Sequence, residues 1–149
     1  MTKDIVIVDI DGTISSVGPR IKHLRQSPVD WDSFYAECFE DNPITEMVEL
    51  VKYLSRKYFI VFCTGRRESV REVTVAWIKA NMGIDVSDTE LLMRPNGDMR
   101  EDSDVKVEQL ILSGVDMQRI AFVLEDRSSV VKAWRDRGIR CLQVDKGEF

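Results

Sequence analysis

Apolar residues fall into two alternating patterns along this chain. Short apolar runs at 5–8, 58–63, 91–93 and 120–124, and one at 141–144 interrupted by Gln143, are separated by stretches in which apolar residues recur every three or four positions. An unbroken run predicts a strand covered on both faces, as in a parallel sheet, and the run Ile5-Val6-Ile7-Val8 is predicted to be central. Ile44, Met47, Val48, Val51 and Leu54 predict a helix over 44–53, with Asn42 and Pro43 as its cap and first-turn residue. Val70, Val73, Trp77, Ile78 and Ala80 predict a second helix closed by Gly83; 105–112 and 130–137 predict two more, stopped by Gly114 and Gly138. Repeated βα units of this kind imply a Rossmann-like three-layer α/β sandwich with a five-stranded, mostly parallel sheet. Its ligands are expected beyond the carboxyl ends of the strands, at a switch point. The segment 14–42 breaks the alternation. Gly18-Pro19 and Ser27-Pro28 mark turns in it, and it is predicted to be a small cap or loop inserted after the first strand of a single domain spanning 1–149.

With 149 residues and 44% hydrophobic content, the chain can form one core. A net charge of -5 argues against sequence-independent wrapping of nucleic acid, which draws its affinity from Lys and Arg, but leaves room for a local contact. Charge is split within the inserted segment: Arg20, Lys22 and Arg25 are followed by Asp30, Asp32, Glu37, Glu40 and Asp41. This pattern fits either a solvated loop and helix or a basic lip over an anionic substrate. Cys38, Cys63 and Cys141 are odd in number and lack metal spacing, so neither a disulfide framework nor a zinc site is expected. Without a secretory leader or an apolar run of about 18 residues, the chain is expected to be cytoplasmic, with no membrane partner. The residues are silent on oligomeric state.

Chemistry begins where the first strand ends, in Asp9-Ile10-Asp11-Gly12-Thr13. Residues two apart in an extended chain share a face, so Asp9 and Asp11 are expected to project together. Paired buried carboxylates need a cation between them or a proton on one of them. Gly12 lets the chain turn away. Read alone, the motif also fits a plain strand-to-turn junction, or a calcium loop, though Ile14 and Ser16 do not supply the further acids that loop needs. Thr64-Gly65-Arg66 after the second strand offers a hydroxyl, backbone N–H groups and a guanidinium for a phosphate. A cysteine phosphatase loop on Cys63 is disfavoured, because position 69 is Ser rather than Arg. Lys106 stands near the start of the helix after the third strand, and Glu125-Asp126-Arg127 follows the fourth. His23, the sole histidine, reads as an incidental loop residue.

Taken in order, these elements resemble the haloacid dehalogenase (HAD) superfamily, whose signature is Asp-x-Asp-x-Thr, a Ser or Thr after the second strand, a Lys, and acids after the fourth. More narrowly, the chain resembles the 3'-phosphatase domains of bacteriophage polynucleotide kinase-phosphatases. Thr64 to Ser69, Arg100 to Lys106, Glu125 to Arg127 with Val130, Val131 and Trp134, and the closing Cys141 to Val144 with Gly147-Glu148-Phe149 carry this likeness. The resemblance implies a magnesium-dependent phosphomonoester hydrolase. Asp9 would be the nucleophile and a metal ligand, and Asp11 the general acid/base, also ligating the metal through its carbonyl. Thr64 and Lys106 would hold phosphoryl oxygens, and Glu125 or Asp126 would complete the Mg2+ site; Glu125 stands where the family is expected to carry Asp. Gly12, Gly65, Arg66, Arg20 and Arg94 are the candidate substrate contacts. The implied partner is a phosphorylated nucleic acid end or a nucleotide, the location the host cytoplasm if the chain is phage-encoded. A free nucleotide or other small phosphomonoester is the alternative substrate, and a non-catalytic phosphoaccepting regulator the less favoured class. No Gly-x-x-x-x-Gly-Lys-Ser/Thr occurs, so no kinase domain is expected in this chain.

Overall fold

The computed structural model describes residues 2–87 and 90–147; Glu148 and Phe149 of the closing motif lie outside the described residues. Five strands, β1 (Ile5–Val8), β2 (Phe59–Arg67), β3 (Leu91–Arg94), β4 (Ile120–Glu125) and β5 (Cys141–Gln143), form one sheet in the order β3-β2-β1-β4-β5. All four pairings are parallel, and β1 lies in the centre. The chain winds outward from β1 to β3, then returns to β4 on the other flank. Its switch point therefore falls at the carboxyl end of β1.

Both faces of the sheet are covered, and this is why β1 reads as an unbroken apolar run. Ile5 and Ile7 pack with Val61, Cys63, Val107, Leu110, Val123 and Trp134. That layer is closed by α5 (Asp102–Ser113) and α6 (Ser128–Asp136). Val6 and Val8 point the other way, against Phe62, Val48, Val51, Trp77 and Ile78. Those residues belong to β2 and to α3 (Thr45–Leu54) and α4 (Arg71–Met82). Left-handed Gly83 and Gly114 end α4 and α5, where a side chain would be strained. Between β1 and α3 the chain makes the short helices α1 (Ile21–Leu24) and α2 (Trp31–Ala36), with Val17, Phe34 and Tyr35 as their own small apolar cluster. No helix among the described residues is long and apolar enough to cross a membrane.

Three local expectations are corrected. Asn42 and Pro43 do not cap α3. The Asn42 carbonyl accepts the Ser16 N–H, Pro43 bridges to Ser15, and Ile44 N–H donates to the Ile14 carbonyl, so tertiary pairing holds 42–44 extended. α5 begins at Asp102 rather than 105, with Asp102 and Asp104 in its first turn, where acids favour the positive end of the helix dipole. β2 does not end at Cys63. It continues through Thr64-Gly65-Arg66 as a bulge, so that four steps from Cys63 to Arg67 face two steps from Leu92 to Arg94.

Trp77 is almost fully buried, and its indole N–H donates to the Asp41 carbonyl at 2.9 Å, tying α4 to the inserted segment. Trp77→Ala is expected to cost roughly 3–5 kcal/mol of unfolding free energy, read from denaturant titration. A loss below about 1 kcal/mol would show that this contact is not structural.

Candidate active site

Four strand and helix ends bring their side chains to one edge of the sheet. Asp9 follows β1, and its N–H donates to the Leu124 carbonyl at 3.0 Å, so the β1–β4 ladder fixes its backbone. Its Oδ1 accepts from Lys106 Nζ on α5, and its Oδ2 from the Thr13 hydroxyl, both at 2.8 Å. Lys106 also donates to Glu125 Oε2 at 2.8 Å and lies 3.2 Å from Asp102 Oδ2, one helical turn before it. Glu125 turns its other oxygen back onto the N–H groups of Asp126 and Arg127. Asp9, Glu125 and Asp126 each offer a carboxylate oxygen, and these atoms lie within 4.8 Å of one another.

The electrostatics of this cluster are unbalanced toward negative charge. Burial pushes the Asp9 carboxyl well above its ordinary value, the Glu125 carboxylate adds to this, and Lys106 opposes it. Asp126 is raised to about 7, first by burial and then by Glu125. Lys106 is pushed well above the ordinary lysine value, because Asp102, Asp9 and Glu125 outweigh the cost of its burial. Asp126 Oδ1 is buried and has no hydrogen-bond partner. Buried acids packed around a single ammonium, with one carboxylate oxygen left over, fit a hard divalent cation that prefers oxygen donors. Asp9, Glu125 and Asp126 are the side chains that would hold it.

Asp11 lines the same pocket as Asp9 but is held by different partners. Arg66 Nη2 donates to Asp11 Oδ1 at 2.7 Å, and Arg20 Nη2 to the same oxygen at 2.8 Å. Burial raises the Asp11 carboxyl, but Arg66 and then Arg20 outweigh that and hold it below its ordinary range. Asp41 completes the group by accepting from Arg20 Nε at 2.7 Å and Nη2 at 2.6 Å, and from the Ser15 hydroxyl at 2.5 Å. Two guanidinium groups thus meet two carboxylates in a balanced, buried set. The positive half of the split charge in the inserted segment is accordingly not one lip: Arg20 is 1% exposed and bound to Asp41, while Lys22 and Arg25 are exposed.

The remaining expected contacts differ in their surroundings. Thr64 lines the pocket with Asp9, Asp11 and Lys106, and its hydroxyl accepts the Arg66 N–H. At Gly65 a Cβ would come within 2.2 Å of Asp102 Oδ1, so a side chain there would displace that carboxylate from its place beside Lys106. Gly12 is left-handed at φ 85°, and its N–H donates to the Ser15 carbonyl. Arg94 spends its guanidinium on the carbonyls of Gly65, Asp98 and Arg100, so it clasps the loop after β3 while lining the pocket. Cys63 is buried in β2, its thiol pushed up by burial and donating to the Lys106 carbonyl. His23 faces Glu37, 2.9 Å away.

Sequence reasoning did not single out Asp41, Ser15 or the roles of Asp102 and Thr13. An acid four residues before Lys106 on one helix was a usable signal for Asp102. Asp41 gave none, because its neighbours are made only when the inserted segment folds back over β1.

Comparisons with known proteins place the chain. The family described as the polynucleotide kinase PNKP phosphatase domain matches residues 3–149. A protein of Autographa californica nuclear polyhedrosis virus, described as a bifunctional polynucleotide kinase/RNA ligase, is 29% identical over 133 residues, covering 88% of this chain and 18% of that one. A chain in the structure of the Pnkp1/Rnl/Hen1 RNA repair complex superposes with a TM-score of 0.78 at 29% identity, covering 98% of this chain and 44% of that one. This chain therefore spans less than half the length of these relatives. The class C acid phosphatase from Bacillus anthracis, with tungstate bound, shares the fold at TM-score 0.67 and 15% identity, over 100% of this chain and 69% of that one. The five-stranded α/β architecture is that of HAD-like proteins. With the family match running over nearly its whole length, the chain belongs to the HAD phosphatase domains of polynucleotide kinase-phosphatase type.

Proposed function

We propose that this phosphatase domain is a magnesium-dependent phosphomonoesterase that removes 3'-phosphates from polynucleotide ends through an aspartyl-phosphate on Asp9. The observation that carries the reading is the buried acid cluster of Asp9, Glu125 and Asp126, with Lys106 bridging Asp9 to Glu125 at the switch-point edge. The polynucleotide part draws on the relatives, which are described as a polynucleotide kinase/RNA ligase and as part of an RNA repair complex. The inserted segment, as a small cap within one domain, leaves the cleft open enough for a polymer end.

Bound magnesium would neutralise charge on the phosphoryl group and favour the ionised form of its ligands. Asp9 Oδ attacks phosphorus in line, and the leaving oxygen departs with a proton from Asp11. Lys106 and the Thr64 hydroxyl hold equatorial oxygens. Asp11 then takes a proton from the water that hydrolyses the acyl phosphate, and Asp9 is regenerated. Arg66 and Arg20 oppose protonation of Asp11 until the negative charge of an incoming phosphate offsets theirs. The test of the whole reading is hydrolysis of a 3'-phosphorylated oligonucleotide against mononucleotides, with and without magnesium. Preference for mononucleotides would move the substrate to free nucleotides.

Asp9→Asn is expected to lower turnover by more than about 10⁴-fold while leaving the fold intact. At pH 8 without metal its thermal midpoint should equal or exceed that of the parent, since carboxylate crowding is relieved. Retained turnover would remove Asp9 as nucleophile.

Arg66→Ala strips a fully buried partner from Asp11 and is expected to cost roughly 3–5 kcal/mol of stability. It should lower kcat as well as raise KM, and Arg66→Lys should recover little, because a single ammonium cannot span the two bonds of the fork. A change confined to KM would assign Arg66 to substrate binding alone.

Asp126 sets a pH window. Its folded carboxyl titrates at about 7, whereas an unfolded Asp titrates near about 4. Between those values the folded protein keeps a proton that the unfolded chain has lost, so metal-free stability falls as pH rises through the window and levels off above it. Magnesium binds the ionised form and should raise the thermal midpoint more at pH 8 than at pH 5, measured by scanning fluorimetry. Equal shifts at both pH values would count against a metal at these acids.

A further inference from the structure

We propose that the cleft between Trp31 and the loop carrying Met99 is a nucleobase subsite, in which the base of the 3'-terminal nucleotide stacks on the Trp31 indole. The inference deepens the polynucleotide reading and rests on it. Trp31 opens α2, and its ring is oriented by two neighbours on the same helix: it stacks on Tyr35 at 6.0 Å and 22°, and meets Phe34 edge-on at 5.8 Å and 89°. Tyr35 is itself fixed by its hydroxyl, which donates to the Gly65 carbonyl at 3.1 Å. The indole is therefore held by packing before any ligand arrives, so little side-chain freedom is lost on binding. Met99, 70% exposed, offers a polarizable apolar surface to the same cleft.

Two observations favour a nucleobase over another apolar ligand. Trp31, Tyr35 and Arg94 line both this cleft and the pocket of Asp9 and Lys106, so a group one sugar away from a phosphate in that pocket reaches the indole. Arginines border the aromatic surface. Arg67 lies over the Tyr35 ring at 5.2 Å and pairs with Asp32, whose side chain is 91% exposed. Such an exposed pair is screened and exchanges readily for a phosphodiester oxygen. An aromatic face next to guanidinium groups is the chemistry that holds single-stranded nucleic acid without reading its sequence.

The test compares two trinucleotides carrying a 3'-phosphate under magnesium, one intact and one with an abasic tetrahydrofuran residue at the 3' end. In the parent protein the intact substrate should have a kcat/KM about 5- to 150-fold higher, the range expected for stacking one base. In Trp31→Ala, and in Trp31→Leu, which keeps bulk without a π-face, that ratio should fall to near one. A ratio unchanged by either variant overturns the subsite and leaves the polynucleotide reading standing; so does an equal loss on both substrates, which marks a structural role. If the parent hydrolyses glycerol 2-phosphate but neither trinucleotide, the polynucleotide reading fails and the subsite with it. Binding gives a readout independent of turnover. Trp77 and Trp134 are 1% and 0% exposed, so quenching of tryptophan emission when the intact trinucleotide binds Asp9→Asn should come from Trp31 and vanish in Trp31→Phe. Quenching that survives in that variant also overturns the proposal.

Discussion

One buried ammonium carries the architecture of the site. Lys106 is 2% exposed, yet it touches Asp9 from β1, Glu125 from β4 and Asp102 from its own helix. No one of these acids could be buried at this depth unpaired, since an isolated carboxylate removed from water costs far more than a domain can supply. Three elements that are distant in sequence are thus locked to a common point, and the point lies at the end of the central strand. The arrangement remains short of positive charge, because Asp126 shares the same space and keeps an oxygen without a partner.

The neighbouring cluster is built on the opposite rule. Arg20 and Arg66 match Asp11 and Asp41 charge for charge, with the Ser15 and Thr74 hydroxyls accepting further Arg66 N–H groups and Ser15 donating to Asp41. A balanced set has no need of an added ion, so the two aspartates of the Asp-x-Asp motif take unlike environments two residues apart. The backbone causes the difference. Asp9 is still in the ladder with β4, whereas Ile10 gives its carbonyl to three successive N–H groups and Gly12 reverses the chain. Simple alternation along a strand no longer applies beyond that point.

Most of the layer order was legible in the sequence because hydrophobic periodicity and burial coincide there. Ile5 to Val8 is apolar throughout because each side chain meets a helix layer, odd positions on one side and even positions on the other. Gly83, Gly114 and Gly138 ended helices as expected, since the left-handed turn is a local property. The boundaries that escaped were set by distant partners: the start of α3 by its pairing with 14–16, and the bulge in β2 by the register of β3. The site followed the same division. Asp9, Glu125 and Asp126 were visible as acids at or just past strand ends, Lys106 as a lysine one turn into a helix, and Thr64 as a hydroxyl next to Gly65, although it lies within the β2 bulge rather than after the strand. Asp41 and the pinning of Asp11 were not, because they arise where the inserted segment crosses the strand edge.

The bare Cα of Gly65 leaves the space that the Asp102 carboxylate occupies, whose Oδ1 lies 2.2 Å from where a Cβ would stand. Asp102 is 3.2 Å from the Lys106 ammonium, so a methyl group at position 65 would turn that carboxylate aside and take from the lysine one of the three acids that hold its charge. The ionisation of a group on one element thus depends on a side chain that another element lacks.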